Sequence, residues 1–178
     1  MELQNERFRF IWRVTAAHTI AYFIAGVFAV NVFNYGELFP RLLLMRPITD
    51  PIIPLGAGLQ VVRGLIMSLI LLPLYQVFTK GKFGFLKLGL LILGLSVIST
   101  FAAASGSFEG FIYTNIPFAE QIVGYPEAIV WILLFIGILA AFYRFEKKAI
   151  TIISIVIVVL IVLMSVMGYL AALHIIKT

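Results

Sequence analysis

An arginine within a long apolar stretch is the first residue of this chain that points to chemistry. Arg63 lies about ten residues inside the second apolar segment, so a helix would place it about 15 Å below the membrane surface. A guanidinium in hydrocarbon costs at least about 2.5 kcal/mol and requires partners. Arg63 therefore predicts either a structural ion pair or a binding site for an anion, and the sequence supports both interpretations about equally.

The neighbours of Arg63 at helical spacing form one face of the same segment. Gly56, Gln60, Arg63 and Met67 follow the i, i+4, i+7, i+11 series, which repeats on one side of an α-helix. This face combines a glycine, which leaves space beside the helix, with an amide and a cation. We expect it to point into a helix bundle rather than towards lipid.

Two other segments supply polar side chains that could meet this face. Ser96, Ser99 and Thr100 fall on one side of the third segment, and His18 lies beside a four-residue alanine repeat in the first. Small residues let membrane helices approach closely, and hydroxyls hydrogen-bond between helices. Such hydroxyls are more often packing elements than ligand contacts, and a buried histidine is more often an interhelical hydrogen-bonder than a proton relay. The repeat consists of Ala17, Ala21, Ala25 and Ala29.

An acidic residue in an apolar setting completes the candidate site. Glu109 stands between Phe108 and Gly110, and it is the best candidate for an ion pair with Arg63, followed by Glu37 or Asp50. The alternative is that the hydroxyls of the third segment meet the guanidinium instead. The predicted ligand-binding set is Arg63, Gln60, His18, Ser96, Ser99, Thr100 and Glu109.

The usual signatures of enzymes and metal sites are missing from this sequence. It has no cysteine, one aspartate and two histidines, and it contains neither H-E-x-x-H nor G-x-S-x-G. Two histidines alone do not make a usual zinc site. We therefore predict no metal and no cofactor, and an enzyme acting on lipid-linked substrates is the least favoured hypothesis.

The composition predicts an integral membrane protein. Hydrophobic residues make up 62% of the 178 and charged residues 12%, and the mean hydropathy is +1.11. A soluble domain of this size could not bury so much apolar surface. The net charge of +5 does not indicate nucleic-acid binding, because the basic residues lie at the ends of apolar runs, where they orient a chain in a membrane.

Five segments are long and apolar enough for transmembrane helices, which need about 20 residues. We expect an all-α bundle of about five transmembrane helices, forming a single domain over residues 1–178. The segments are residues 11–33, 53–78, 84–104, 127–145 and 149–176. The second is the least certain because it carries Arg63 and two prolines, and without it the count would fall to four.

The distribution of lysine and arginine predicts the orientation. Nine of the 13 lie in segments on the side of the N-terminus, three lie on the other side, and Arg63 lies within a span. Positive residues favour the cytoplasm, so the chain is predicted to cross the plasma (inner) membrane with its N-terminus inside and its C-terminus outside. The apolar loop 105–126, between the third and fourth helices, is then extracytoplasmic, and we expect it to pack on the bundle.

Two functional hypotheses remain, and their partners differ. The favoured one is a binding or transport protein that receives an anionic solute or a lipid headgroup at Arg63 from the outer side, with Pro54, Gly56, Gly58 and Gly64 interrupting the helix. The alternative is a non-catalytic subunit of a homo-oligomer or membrane complex. A cavity reaching Arg63 favours binding, whereas a dry ion pair favours the subunit.

Overall fold

The computed structural model describes residues 2–34, 37, 46–47, 49–100 and 104–175, and within them it is all helical. The helices are α1 (Glu2–Phe33), α2 (Ile52–Leu71), α3 (Tyr75–Thr79), α4 (Gly84–Ile92), α5 (Phe108–Tyr113), α6 (Phe118–Ile122), α7 (Tyr125–Arg144) and α8 (Lys148–Ala172). A 3₁₀ turn (Leu72–Leu74) joins α2 to α3, and a π-helical segment (Leu93–Ile98) continues α4.

Four helices in the described part of the chain are long and apolar enough to cross a membrane. They cover Asn5–Phe33, Ile52–Thr79, Phe118–Arg144 and Lys148–Ala172. This agrees with a membrane location and with the predicted helical class. The segment that falls short is the third, Gly84–Ile98, and not the second, which the sequence marked as the least certain.

The second span remains helical because its prolines occupy tolerated positions. Pro54 is the third residue of α2, where the backbone N–H would have no intrahelical partner in any case. Pro73 lies in the 3₁₀ turn, beyond the end of α2. The predicted interruption around Gly56 and Gly58 is therefore wrong: α2 is continuous past Arg63, and the irregular turn lies towards its other end.

The third apolar segment loses its α-helical geometry earlier than predicted. The α-helix ends at Ile92, the π segment follows, and Ser99 has a non-helical backbone with φ −114° and ψ 55°. At about 1.5 Å per residue, Gly84–Ile98 is roughly 22 Å long, shorter than the hydrocarbon core of about 30 Å. Residues 101–103 of the predicted span lie outside the described residues. Ser96, Ser99 and Thr100 therefore do not form the single α-helical stripe that their spacing predicted.

Helix α1 is the centre of the bundle, and α2, α7 and α8 all contact it. Its alanine edge is buried as predicted, with at most 1% exposure at the four positions Ala17, Ala21, Ala25 and Ala29. A Cβ on Gly64 of α2 would lie 3.0 Å from the backbone of Thr15, so the two helices approach almost backbone to backbone. Helix α4 instead packs mainly on α7.

Contacts at the two ends of the bundle give the direction of each helix. Near the start of α1, Trp12 Nε1 donates to Ser154 Oγ at the start of α8 (3.1 Å). The ring of Phe85, at the start of α4, lies 5.5 Å from that of Tyr143, at the end of α7. At the opposite end, Pro54 meets Gly168. The starts of α1, α4 and α8 therefore share one end of the bundle with the end of α7.

The predicted loop 105–126 folds into two short helices held together by one amide. The Gln121 side chain is buried; its Nε2 donates to the Gly110 carbonyl (3.0 Å) and its Oε1 accepts from the Gly106 N–H (3.1 Å). Tyr125 also donates to the Gly106 carbonyl. This network fixes the fold of the segment through its polar groups.

The apolar side chains of this segment do not pack on the bundle as predicted. Phe108, Phe111, Ile112 and Phe118 are exposed, and α5 and α6 contact each other. Apolar side chains need shielding only from water, and lipid shields them as well as protein does. The prediction overlooked this second solvent.

The close approach of α1 and α2 gives a test by substitution. Gly64→Ala should destabilise the protein by about 1–3 kcal/mol, because the new methyl group meets backbone that cannot move aside. Gly56→Ala is the matched control on the same helix, since no atom lies within 4 Å of its Cβ position. It should be neutral or stabilising by about 0.5–1 kcal/mol, because alanine favours helix over glycine. Thermal unfolding in detergent measures both, and equal effects would contradict the packing described.

Candidate functional site

A cavity of about 210 Å³ opens between α1, α2, the π segment and α7. Its walls combine charged, hydroxyl and aromatic side chains with small residues that leave the space open. The lining residues are Tyr22, Ala25, Arg63, Ser96, Val97, Gly124, Glu127, Ala128 and Trp131. Four elements thus contribute to one polar space, close to the end of the bundle at which α2 begins.

Arg63 lies at the edge of the contact between α1 and α2. It directly precedes Gly64, and one residue on a helix turns the side chain by about 100°, so Arg63 points out of that contact and into the cavity. Its guanidinium carbon is 5.8 Å from the ring centroid of Trp131, within the range of a cation–π interaction. The side chain is exposed, and it forms no hydrogen bond or ion pair with any described residue.

His18 and Gln60 form a hydrogen-bonded pair one helical turn behind the cavity. Gln60 Nε2 donates to the Gly56 carbonyl (3.2 Å), so the Gln60 oxygen faces His18 Nε2 at 3.1 Å. That oxygen can only accept, and His18 Nε2 must therefore carry the proton. In the neutral imidazole, Nδ1 is then a bare acceptor.

The surroundings of this histidine are aromatic and closed. His18 is fully buried, with its ring 5.4 Å from that of Trp131 and 6.4 Å from that of Phe135, both edge-on. His18 Nδ1 and Trp131 Nε1 are both buried without a hydrogen-bond partner in the described part of the protein. One hydrogen-bond acceptor and one donor, in neighbouring rings beside the cavity, are thus buried without a partner. Buried polar atoms are usually hydrogen-bonded, so two unpaired ones side by side are uncommon.

The structure brings together part of the predicted site. Arg63 and Ser96 line the cavity, and His18 and Gln60 lie next to it. Ser99, Thr100 and Glu109 are not among the lining residues. Within the described residues no ion pair joins Arg63 to Glu109, so the partner expected for the guanidinium is not where the sequence suggested.

Three lining residues with functional side chains were missed by sequence reasoning: Tyr22, Glu127 and Trp131. A signal for two of them was present. Gly124, Glu127, Ala128 and Trp131 follow the i, i+3, i+4, i+7 pattern of one helical face. Rules that assign tryptophan and acidic residues to the membrane interface concealed it.

No group of three or more histidine, aspartate or glutamate side chains in the described residues is arranged to hold a metal ion. Comparison of the chain with protein-family models, with curated proteins and with solved structures gives no match.

The hydrogen bond between His18 and Gln60 predicts a pattern of coupled substitutions. Gln60→Leu leaves the His18 N–H buried and unpaired, which should cost about 1–3 kcal/mol of stability. His18→Leu added to Gln60→Leu removes the orphaned group, and the double variant should recover part of that loss. Thermal unfolding of the two single variants and the double variant gives the coupling free energy. Additive effects would show that the pair contributes no shared interaction.

Proposed function

We propose that this protein binds an anionic group, a carboxylate or phosphate of a small solute or of a lipid headgroup, at Arg63 within the membrane. The observation that carries the proposal is a guanidinium that lines an open cavity and has no ion-pair partner among the described residues. An arginine held in a membrane without neutralisation costs several kcal/mol. A bound anion supplies the missing charge.

The volume of the cavity favours a small ligand over a large one. Its volume of about 210 Å³ is below the 300–1,000 Å³ or so of pockets for drug-sized molecules. Ser96 offers a hydroxyl from the π segment, and Trp131 and Tyr22 form flat aromatic walls. Glu127 lies on the α7 wall. Because its carboxylate would repel a second anion, the bound anionic group should lie on the α2 side, against Arg63.

The alternative function, a non-catalytic subunit of a membrane assembly, would use Arg63 in a dry ion pair. The cavity at this residue favours binding over that alternative. Helix α8 offers a surface for either, because most of its exposed side chains are apolar, among them Ile152, Val156, Val159, Leu163 and Met167. Contact with lipid alone would explain this apolar face, without a partner protein.

We also propose that the chain crosses the membrane five times, with the N-terminus in the cytoplasm and the C-terminus outside. The contacts at the bundle ends support this arrangement, because α4 starts where α7 ends. The chain between them must travel to the other end, and Gly84–Ile98 is the apolar helix available for it. The excess of lysine and arginine at the N-terminal end sets the orientation, and we assign the protein to the plasma (inner) membrane.

Removing the charge of Arg63 tests the binding function directly. Arg63→Met keeps the apolar stem and leaves no described partner unpaired, so the unfolding temperature should fall by no more than the stabilisation that the lost ligand supplied. Lipids and small anions that copurify with the protein, counted by native mass spectrometry, should drop at least tenfold. Arg144→Met is the control, since it removes a cation that lies outside the cavity.

A drop in thermal stability without loss of any bound species would instead mark Arg63 as a structural residue. Equal losses from Arg63→Met and Arg144→Met would indicate a general effect of charge on lipid retention. Either result would overturn the proposal.

The absence of cysteine in the chain allows a clean test of the topology. Single cysteines at Lys82, Asn115 and Lys147, all exposed, should react differently with a membrane-impermeant maleimide added to intact cells. Only the cysteine at position 115 should be labelled, and all three should react after lysis. Labelling of positions 82 and 115 from the same side would show that Gly84–Ile98 does not cross.

A further inference from the structure

A second, larger cavity lies at the opposite end of the bundle, where α1 begins. Its volume is about 330 Å³, and α1, α3 and the end of α7 enclose it. Charged and hydroxyl side chains dominate its walls. The lining residues are Glu6, Arg9, Arg13, Tyr75, Thr79, Lys80, Tyr143 and Glu146.

The charges in this cavity do not balance. Among the described residues that line it, three cations face two carboxylates, and both carboxylates already have contacts. Glu146 accepts from Arg13 Nη1 at 3.0 Å. Glu6 accepts from the Tyr75 hydroxyl at 3.4 Å and lies 4.0 Å from Lys80 Nζ. One positive charge is therefore left over.

The surplus charge belongs to Arg9, which forms no hydrogen bond or ion pair with any described residue. Arg9 and Arg13 are four residues apart on α1, so their side chains are neighbours on one helix face. Like charges at this spacing repel and destabilise the helix. An anion between them would turn the repulsion into two attractions.

Arg13 has the features of a prepared binding group. Its side chain is only 10% exposed, and its guanidinium carbon lies 4.3 Å from the ring centroid of Tyr143. These contacts fix its plane while using only part of its five donors. Arg13 lines the cavity, and none of its nitrogens is both enclosed and without a partner among the described residues.

We propose that this cavity binds a phosphate group, as a phosphomonoester or phosphodiester, between Arg9 and Arg13. Arginine pairs bind phosphate oxygens through parallel, charge-assisted hydrogen bonds. Lys80 adds a third positive charge, and the Tyr75, Tyr143 and Thr79 hydroxyls supply further polar atoms. The site is separate from the one at Arg63, because Arg13 and Tyr22 lie about 14 Å apart along α1, with buried residues between them.

The decisive variant is Arg9→Gln, with Arg7→Gln as its matched control. Both remove one charge from the same exposed end of α1, but only Arg9 lines the cavity. Arg9 has no internal partner to orphan, so the variant should fold. Affinity is measured on the purified full-length protein in neutral detergent, from the rise in unfolding temperature with ligand concentration.

Three probes separate the possible sources of the phosphate. They are inorganic phosphate, a short-chain phosphatidic acid, and laurate as an anion without phosphate. We expect at least one phosphate probe to bind ten times more tightly than laurate. Arg9→Gln should weaken that binding at least tenfold, and Arg7→Gln should change it less than twofold. Preference for phosphatidic acid identifies a lipid headgroup, and preference for inorganic phosphate identifies a soluble ligand.

Three results would overturn the proposal. The first is that neither phosphate probe binds. The second is that laurate binds as tightly as the phosphate probes and that Arg9→Gln weakens its binding to the same extent. The third is that Arg7→Gln and Arg9→Gln weaken binding equally, since that would reduce the effect to the general positive charge of this end of the molecule.

Discussion

The close contact between α1 and α2 is the constraint on which the rest of the fold depends. Gly64 brings the two backbones together at Thr15, and the alanine edge of α1 extends the close packing along the bundle. Without a hydrophobic driving force between helices in lipid, such contacts gain their energy from van der Waals packing and from hydrogen bonds. The same contact places Gln60 opposite His18 and turns Arg63 outwards into the cavity, so packing and the candidate site have one origin.

The aromatic core between the two cavities keeps them apart. On α7, Phe135, Leu139 and Phe142 are buried between Trp131 and Tyr143, and α1 is buried over the same depth. Charges at the two ends are thus separated by a closely packed layer, whose buried polar side chains include Thr15, His18 and Thr19. Any movement of a solute from one cavity to the other would have to open this layer, and a static binding protein would leave it closed.

The sequence predicted the features that depend on helical periodicity and composition. The helical class follows from composition, and the alanine edge follows from spacing, because 3.6 residues per turn decide which side chains share a face. Spacing also predicted that His18 and Gln60 each face the interior, but their contact with each other is a finding of the structure. The topology remains a prediction from the charge of the loops. Arg63 was recognised because a charge in an apolar run is rare; it lines the cavity, but its side chain is exposed and not enclosed by the bundle as predicted.

Other features were not readable, for identifiable physical reasons. The π segment Leu93–Ile98 is as apolar as an α-helix, so composition conceals the change in backbone geometry that moved Ser99 and Thr100 off the predicted face. Phe108 and Phe118 are apolar whether they meet protein or lipid, and no pattern distinguishes the two solvents. The role of Trp131 as a cavity wall depends on how α7 is rotated against α1, which only the assembled bundle determines.

The shortness of the third helix has a consequence for the bilayer itself. Gly84–Ile98 is roughly 22 Å long, whereas the hydrocarbon core of a bilayer is about 30 Å thick. If this helix crosses the membrane, the bilayer can adapt to the hydrophobic mismatch by thinning locally. The π segment at the end of this helix forms one wall of the Arg63 cavity. Thinning there would bring the headgroups of the outer leaflet closer to the Arg63 guanidinium. Arg63 would then lie near the lipid headgroups even though it occupies the middle of α2.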